Sequence, residues 1–359
     1  MTERPFVEVK DLRRVFDVSK PWLNRVLEGG EKQYLKAVDG VSFAIDRGET
    51  FALVGESGSG KSTVARMVVG LLPPSGGEVS IDGVSMSSRA DTSERQRLRR
   101  RIQMIFQDPY ASLNPRWQVD RIVAEPIRAF RLIDGEKDIT ARVGELLSLV
   151  GLHPADGKKY PHEFSGGQRQ RIGVARALAV NPKLIVCDEP VSALDVSVQA
   201  QILNLLRDLQ GEFGLTYVFI AHDLNVVRHI SDRVMVMYLG KIVEQASDRD
   251  LYRQPYHPYT GALLSAVPIP NPELGRKRKP ILLEGDVPNP INPPEGCRFH
   301  PRCPRAQDDC SSSEPLLRAL AVEHEAACFH PLEKWPLDAD EMAGAPRARI
   351  SVEAGVVAS

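Results

Sequence analysis

The sequence of 359 residues predicts an α/β fold, on two observations about the order of its segments. The apolar run FALVG is followed by the glycine-rich ESGSGKS and a helical pattern, which reads as a buried strand, a loop and a helix. Further along, KLIVCDE and LTYVFIAHD read as two more buried strands, with the helical pattern VQAQILNLLRDLQ between them. Strands that alternate with helices in this way are typical of α/β domains.

Around this core the sequence predicts an antiparallel β portion and a helical subdomain. FVEVKDL and AVDGVSFAI read as strands before the glycine-rich loop, and GEVSIDG reads as a hairpin after it. Residues from about 108 to 182 carry mainly helical patterns. After them and the two buried strands, MYLGKIVEQ predicts a short hairpin.

We expect the chain to divide into three regions. Residues 1–265 carry the folded patterns, residues 266–335 a proline-rich linker and a cysteine-rich segment, and residues 336–359 a polar stretch expected to be disordered. No apolar run is long enough to cross a bilayer, and the N-terminus lacks the layout of a signal peptide. We therefore expect a cytosolic protein that reaches a membrane only through a partner.

Composition excludes some classes of function. The residues are 42% hydrophobic and 26% charged, as in soluble globular proteins, so a largely disordered or collagen-like chain is excluded. The formal net charge is −1, which gives no bulk electrostatic reason to expect nucleic acid as a partner.

The glycine-rich loop matches the phosphate-loop pattern G-x-x-x-x-G-K-[ST] in full, between a predicted strand and a predicted helix. Gly58 and Gly60 let the backbone curl with its N–H groups toward phosphate oxygens, and the following helix adds its positive dipole end. Lys61 would reach the β- and γ-phosphates, and the Ser62 hydroxyl would hold Mg²⁺. The residues predicted to bind ATP here are Gly55, Glu56, Ser57, Gly58, Ser59, Gly60, Lys61, Ser62 and Thr63.

An acidic pair, Asp188-Glu189, ends the predicted strand KLIVC. A carboxylate at the C-terminal end of a parallel strand faces the crevice in which α/β sheets bind their ligands. Asp188 is predicted to hold the Mg²⁺ shell, and Glu189 to polarise the attacking water as a general base. Together with the phosphate loop, the pair predicts a site that binds and cleaves a nucleoside triphosphate.

Four further motifs give the chain a resemblance to a known family. SGGQ spans Ser165–Gln168, Gln107 stands in IFQDP, SALD ends at Asp195, and His222 stands in IAHD. They resemble, respectively, the signature, Q-loop, D-loop and switch histidine of ABC-type ATPases. The resemblance covers about residues 6 to 265 and includes the order of the motifs along the chain. The resemblance implies a phosphate-loop fold with a RecA-like core, an antiparallel β subdomain and a helical signature subdomain.

The resemblance also implies how ATP is bound and cleaved. In ABC-type ATPases the SGGQ segment of one subunit contacts the nucleotide on the phosphate loop of another, so a dimer completes each site. His222 would contact the γ-phosphate and the attacking water, and Gln107 would sense the γ-phosphate and Mg²⁺. The implied catalytic residues are Lys61, Gln107, Glu189 and His222, the Mg²⁺ ligands are Ser62, Gln107 and Asp188, and the residues acting across the dimer are Ser165, Gly166, Gly167, Gln168 and Asp195.

An aromatic ring usually stacks on adenine in this family. Phe16, in LRRVF after the first predicted strand, occupies the comparable place. An unusual stretch separates it from AVDGVSF, so Trp22 and Tyr34 are alternatives. A plain core aromatic is a further interpretation of Phe16.

Two longer segments narrow the resemblance. QDPYASLNPR resembles the extended Q-loop of ATPases in dipeptide, oligopeptide and nickel importers, and HPYTGALLSAVP with GCRFHPRCPRAQDDC resembles their C-terminal extension. The resemblance implies a second ATPase subunit, identical or a paralogue, two transmembrane permeases and, indirectly, an extracytoplasmic solute-binding protein. It implies a peripheral protein on the cytoplasmic face of the inner membrane.

Four of the five cysteines lie in one short C-terminal stretch, at Cys297, Cys303, Cys310 and Cys328. Their spacing is wider than the pairs usual in structural zinc sites, and it suits an iron–sulfur cluster held by four thiolates better. Zinc, free thiols and disulfides stay open as alternatives. Members of the importer subfamily carry a 4Fe–4S cluster there, so the resemblance implies one.

Three functions compete. The first is the ATP-hydrolysing motor subunit of an importer for dipeptides or oligopeptides. The second is an ATPase subunit of a soluble assembly of the carbon–phosphorus lyase type, and the third is a redox switch in which the cluster gates the ATPase. The extended Q-loop and the cysteine segment favour the importer.

Overall fold

A computed structural model of the chain describes residues 4–22, 24–25, 31–86, 92–267, 281 and 283–335. These residues fall into two compact units. The first takes those within Met1–Asp46, Phe51–Arg89 and His222–Pro346, and the second those within Arg47–Thr50 and Ala90–Ala221. Most of the predicted linker, residues 268–280, and the predicted tail lie outside the described ranges, so the three-region division stays a prediction.

The strands of the described residues are β1 Val7–Asp17, β2 Tyr34–Ile45, β3 Thr50–Val54, β4 Gly76–Ile81, β5 Val84–Ser85, β6 Ile102–Ile105, β7 Leu184–Asp188, β8 Thr216–Ile220, β9 Arg233–Tyr238, β10 Lys241–Ser247, β11 Arg318–Ala321 and β12 His324–Ala326. The helices are α1 Lys61–Val68, α2 Thr92–Arg101, α3 Pro109–Ser112, α4 Val119–Ala129, α5 Glu136–Leu149, α6 Gly166–Leu178, α7 Val196–Phe213, α8 Leu224–Ile230, α9 Asp248–Arg253, α10 Pro258–Ala266 and α11 Asp308–Ser312. Within the described ranges, no helix combines the length and apolarity that a membrane span requires.

The antiparallel β portion predicted from the sequence is present in the first unit, where four strands pair in the order β2-β1-β4-β5. Val7, Val9 and Leu12 of β1 are buried. The strand β1 is longer than the predicted FVEVKDL: a register irregularity follows Val9, Asp11 takes a left-handed φ of 45°, and pairing then continues to Asp17. Residues 13–17, which the predicted strand left out, therefore belong to β1.

A second sheet in the first unit carries the phosphate loop at the end of β3. The strand β3 is parallel to β9, β9 is antiparallel to β10, and β10 is antiparallel to β12, which in turn pairs with β11. The last two strands lie in the cysteine-rich segment and were not predicted. They extend this sheet through the pairs Glu244↔Ala326 and Gln245↔Glu325.

The second unit contains three parallel strands, with β7 between β6 and β8. Every residue of β7 and β8 is buried, which explains why both read as continuous apolar runs. The predicted helical stretch of about 108–182 holds α3 to α6 with two short 3₁₀ turns. The α/β class and the helical subdomain are confirmed.

Candidate nucleotide site

The phosphate loop joins β3 to α1 in a curl that glycine permits. Gly55, Gly58 and Gly60 have positive φ angles of 144°, 81° and 106°, which residues with a Cβ rarely adopt. A Cβ at Gly60 would lie 2.4 Å from the carbonyl oxygen of Ala37, and one at Gly55 would lie 2.2 Å from that of Met237. The loop therefore packs against neighbouring backbone at two points where a side chain has no room.

Lys61, the first residue of α1, lies back over the loop. Its Nζ donates to the carbonyl oxygens of Gly55 at 2.8 Å and Glu56 at 2.9 Å, and to Oγ of Ser59 at 3.3 Å. Both Lys61 and Ser59 are buried. The ammonium group is thus held inside the curl, where a phosphate oxygen would be a stronger partner than a carbonyl.

Several other predicted residues of the first unit are less buried. Ser57 at the tip of the loop is exposed, and Ser62 and Thr63 are half-buried in the first turn of α1. His222 is exposed. Next to it, Asp223 caps α8 by accepting a backbone hydrogen bond of 2.8 Å.

Phe16 lies within β1 and pairs with Leu35, whereas the sequence placed it after the first strand. The side chain is half-buried, and the guanidinium of Arg14 lies over its ring at 4.6 Å from the centroid. The two alternative aromatics, Tyr34 and Trp22, are 46% and 69% exposed. Which of the three stacks on adenine stays a prediction.

In the second unit the structure brings Gln107 and Glu189 together across 82 positions of sequence. Nε2 of Gln107 donates to Oε2 of Glu189 at 2.8 Å. Glu189 takes a φ of 48°, which residues other than glycine rarely adopt. Its N–H donates to the carbonyl of Ile220 at 3.1 Å, and its carbonyl accepts from the Ser192 hydroxyl at 3.1 Å. The strained turn after β7 is therefore held on both sides, with the carboxylate against the Gln107 amide.

Asp188 is the last residue of β7 and is only 4% exposed. The preceding Cys187 is completely buried, and burial, with Asp188 beside it, raises the pKa of its thiol. Cys187 is therefore a neutral core residue, and the neighbouring Asp188 supplies the acidic group.

The signature segment forms the N-terminus of α6. Ser165 and Gln168 make a capping box, in which Oγ of Ser165 accepts from the Gln168 N–H at 3.3 Å and Oε1 of Gln168 accepts from the Ser165 N–H at 3.0 Å. A Cβ at Gly167 would lie 2.3 Å from Cγ1 of Val198, so this glycine lets α6 approach α7. Ser165, Gly166 and Gln168 are exposed at a helix end that attracts anions.

Asp195 caps the N-terminus of α7. Its Oδ1 accepts from the Ser197 hydroxyl at 2.6 Å and from the Val198 N–H at 3.0 Å, and these bonds hold the pKa of the carboxyl below its usual range. Nε2 of Gln199 donates to the carbonyl of Leu194 at 3.0 Å. The SALD segment is thus a fixed turn with an ionised cap.

One cavity in the first unit is lined by four thiols, those of Cys297, Cys303, Cys310 and Cys328. Burial raises the pKa of Cys297 to about 11 and that of Cys328 to about 12, and the neighbouring thiols add to both effects. Among the described residues, the set of three potential metal ligands whose donor atoms all lie within 4.8 Å of one another is Asp309, Cys310 and His330. The four thiols are spread more widely around their cavity.

Sequence reasoning missed the residues that hold Glu56 of the phosphate loop from outside. Arg302 donates to its carboxylate at 2.8 and 3.2 Å, and the hydroxyl of Tyr259 accepts from its N–H at 2.8 Å. These partners lie 246 and 203 positions away along the chain. No local pattern could have indicated either contact.

Comparison with known families gives two matches. Residues 38–192 match the family described as ABC transporter, and residues 243–310 match the one described as oligopeptide/dipeptide transporter, C-terminal region. The chain is 53% identical to the putative oligopeptide transport ATP-binding protein YkfD of Bacillus subtilis, over 91% of this chain and 96% of the relative. It is 51% identical to the oligopeptide transport ATP-binding protein OppF of Salmonella typhimurium, over 90% and 95%.

Among solved structures, the chain resembles the dimeric ATP-binding cassette MJ0796 in a post-hydrolysis state with ADP and phosphate. The TM-score is 0.59 at 30% sequence identity, over 67% of this chain and 98% of the cassette.

Proposed function

The chain belongs to the ATP-binding proteins of ABC-type oligopeptide and dipeptide transporters, and on that premise we propose that it is the ATP-hydrolysing subunit of a peptide importer. The observation that carries the proposal is the identity of about half the residues to oligopeptide transport proteins, over nine-tenths of the chain. The names of these relatives give no support to the alternative of a soluble, lyase-type assembly.

In this proposal the phosphate loop binds the triphosphate of ATP through its N–H groups and the Lys61 ammonium. Glu189 is the general base for the attacking water, and the Gln107 amide, 2.8 Å away, orients its carboxylate. His222 contacts the γ-phosphate. The proposal is supported by the positive φ of the loop glycines and by the strained turn that holds Glu189.

Mg²⁺ would be held by Ser62, Gln107 and Asp188. A hydroxyl, an amide oxygen and a carboxylate are all oxygen donors, which Mg²⁺ prefers, so the residues present suit the ion. Bound with ATP, the ion would neutralise charge on the β- and γ-phosphates.

We propose that the partner of each site is a second ATPase subunit, identical or a paralogue, which receives Ser165, Gly166, Gly167, Gln168 and Asp195 against its own nucleotide. The exposed residues at the start of α6 support this role, because the N-terminus of a helix attracts anions. Two transmembrane permeases would complete the importer, with this chain bound at the cytoplasmic face of the inner membrane.

We propose that the four thiols hold a 4Fe–4S cluster. Four thiolates around one Zn²⁺, each about 2.3 Å from the metal, would lie about 3.8 Å from one another. No three thiols of the cysteine-rich segment meet a 4.8 Å limit among the described residues, so a larger group suits the cavity better. The raised pKa values of Cys297 and Cys328 mean that metal binding must displace thiol protons.

The test of the ATPase assignment is Glu189→Gln. We expect ATP hydrolysis to fall by about 10² to 10⁴-fold, since the general base is lost, while ATP binding persists. Glu145→Gln is the control, because the Glu145 carboxylate is exposed and forms a surface ion pair with Arg142 at 2.9 Å. Rapid hydrolysis by Glu189→Gln would remove Glu189 from the base role.

The importer assignment is tested by purifying tagged Glu189→Gln with ATP from detergent-solubilised cells and identifying co-purified proteins by mass spectrometry. Two polytopic permeases and a second ATPase are expected. Recovery of soluble enzymes alone would contradict the importer.

The cluster is tested by purifying the chain without oxygen and measuring iron, acid-labile sulfide and zinc. We expect about four irons per chain, the content of a 4Fe–4S cluster with four Cys ligands. Iron should fall sharply in Cys310→Ser and persist in Cys187→Ser, whose thiol lies in β7. Stoichiometric zinc with no iron would contradict the cluster.

A further inference from the structure

Arg302 of the cysteine-rich segment forms an ion pair with Glu56 of the phosphate loop. Its two terminal nitrogens donate to the two carboxylate oxygens of Glu56, at 2.8 and 3.2 Å. The Arg302 side chain is only 8% exposed, and that of Glu56 is 29% exposed. A bidentate ion pair that is largely shielded from water has a well-defined geometry.

The surroundings of the pair fix Glu56 a second time. The Tyr259 hydroxyl accepts from the Glu56 N–H at 2.8 Å, and the Tyr238 hydroxyl accepts from Arg302 at 3.4 Å. The rings of Tyr238 and Tyr259 pack edge to face at 4.8 Å, and both contact the buried ring of Phe299 at 5.3 Å. Both the backbone and the side chain of one loop residue are therefore held by groups outside the loop.

Glu56 presents a chemical difficulty for a loop that receives a triphosphate. Its carboxylate carries the same sign of charge as the ligand, and like charges at short range in a partly buried site repel strongly. Arg302 cancels that charge and turns the carboxylate toward itself. A guanidinium suits this purpose because it stays charged and binds both oxygens at once.

We propose that Arg302 is a positioning residue for ATP, which neutralises Glu56 and holds the phosphate loop in its binding curl. The inference rests on the proposed ATPase function. Arg302 ends the 3₁₀ turn His300–Arg302, which lies between Cys297 and Cys303. The cysteine-rich segment therefore takes part in nucleotide binding, since the turn that presents the guanidinium to the loop lies between two cysteines that line the cavity.

The experiment measures the Kd of ATP with Mg²⁺ by calorimetry for the full chain and its variants. Arg302→Gln should weaken binding about tenfold, the size expected when a buried charge loses its hydrogen-bonded partner. The loss should shrink as salt is raised, because screening weakens the repulsion. The double variant Arg302→Gln with Glu56→Gln should recover most of the affinity, because it removes the uncompensated carboxylate.

Arg298→Gln is the matched control. Arg298 lies in the same segment and is equally buried, but it binds Asp39 and the carbonyl of Leu239 instead of the loop. Its Kd for ATP should stay within about twofold of the wild type, a difference under about 0.5 kcal/mol. Melting temperature and iron content report whether each variant is folded, and Arg302→Lys, which keeps the charge, should bind ATP more tightly than Arg302→Gln.

An unchanged Kd in Arg302→Gln would overturn the inference. So would a double variant that binds as weakly as Arg302→Gln, or an Arg298→Gln variant with the same defect, since either result would trace the loss to poor docking of the segment. If the wild-type chain itself bound no ATP, the proposed function would fail instead.

Discussion

Single residues of the phosphate loop differ in why they must be glycine. Gly58 and Gly60 both have positive φ, but only Gly60 faces a backbone oxygen where a Cβ would be placed. A Cβ at Gly58 would meet nothing within 4 Å. The pattern G-x-x-x-x-G-K-[ST] requires glycine at position 60 and accepts any residue at position 58. The structure gives a steric reason for this difference, because only position 60 lacks room for a side chain.

Gly60→Ala should therefore lower the free energy of unfolding more than Gly58→Ala. The strain of a left-handed alanine costs about 1–2 kcal/mol in both variants. Only Gly60→Ala adds the overpacking cost of about 1–3 kcal/mol, since its Cβ would lie 2.4 Å from the Ala37 oxygen. Denaturant titration measures both values, and equal losses would contradict the steric account.

At the scale of elements, one buried carboxylate connects the hairpin of β11 and β12 to strand β10 and to the start of helix α10. Glu244 of β10 is fully buried and accepts from Nε2 of His324 at 2.7 Å. It also accepts from the N–H groups of Tyr256 at 2.6 Å and His257 at 3.0 Å, just before α10. A strand, a hairpin and a helix start thus share a single acceptor group.

Glu244→Ala should cost about 3–5 kcal/mol of folding free energy, because it leaves buried donors without their acceptor. Amide hydrogen exchange should also rise in β12, which this carboxylate holds against β10. Glu314→Ala is the control: its carboxylate is 52% exposed and pairs with Lys241 at 2.7 Å, so about 1 kcal/mol or less is expected. A loss as small as the control's would show that the hairpin is held by other contacts.

At the scale of the whole molecule, the cysteine-rich segment shares a hydrophobic core with the first unit. Phe299 is 1% exposed and packs on Tyr238, Tyr259 and the ring of His257. Near the end of the described chain, Trp335 is buried against Gly261, where a Cβ would lie 2.7 Å from the indole ring. The segment is therefore part of the compact unit that carries the phosphate loop.

Phe299→Ala should lower the free energy of unfolding by about 3–5 kcal/mol, the usual cost of emptying a buried aromatic position. It should also weaken ATP binding, because Tyr238 and Tyr259 lose the ring they pack against. Phe213→Ala is the control: Phe213 is 36% exposed at the end of α7, so its loss should lower the free energy of unfolding much less. A stable Phe299→Ala variant with normal ATP affinity would show that the segment is independent of the loop.

Much of the fold and many site positions could be predicted because their causes are local. The phosphate loop and the buried strand that ends at Asp188 each depend on residues a few positions apart. Phe16 shows where such reasoning fails, since it was expected after the first strand, whereas pairing with β2 carries β1 to Asp17.

By itself, the sequence determined the class of fold and the phosphate loop, because steric limits and apolar periodicity act over short stretches of chain. The ordered motifs added the resemblance to a family and, with it, further candidate residues of the nucleotide site. Only the tertiary structure decided which of these residues meet. Gln107 reaches Glu189 across 82 positions, and Arg302 reaches Glu56 across 246. Such pairs are selected by packing, burial and charge in the folded chain, and the free energy of those contacts has no counterpart in any local pattern.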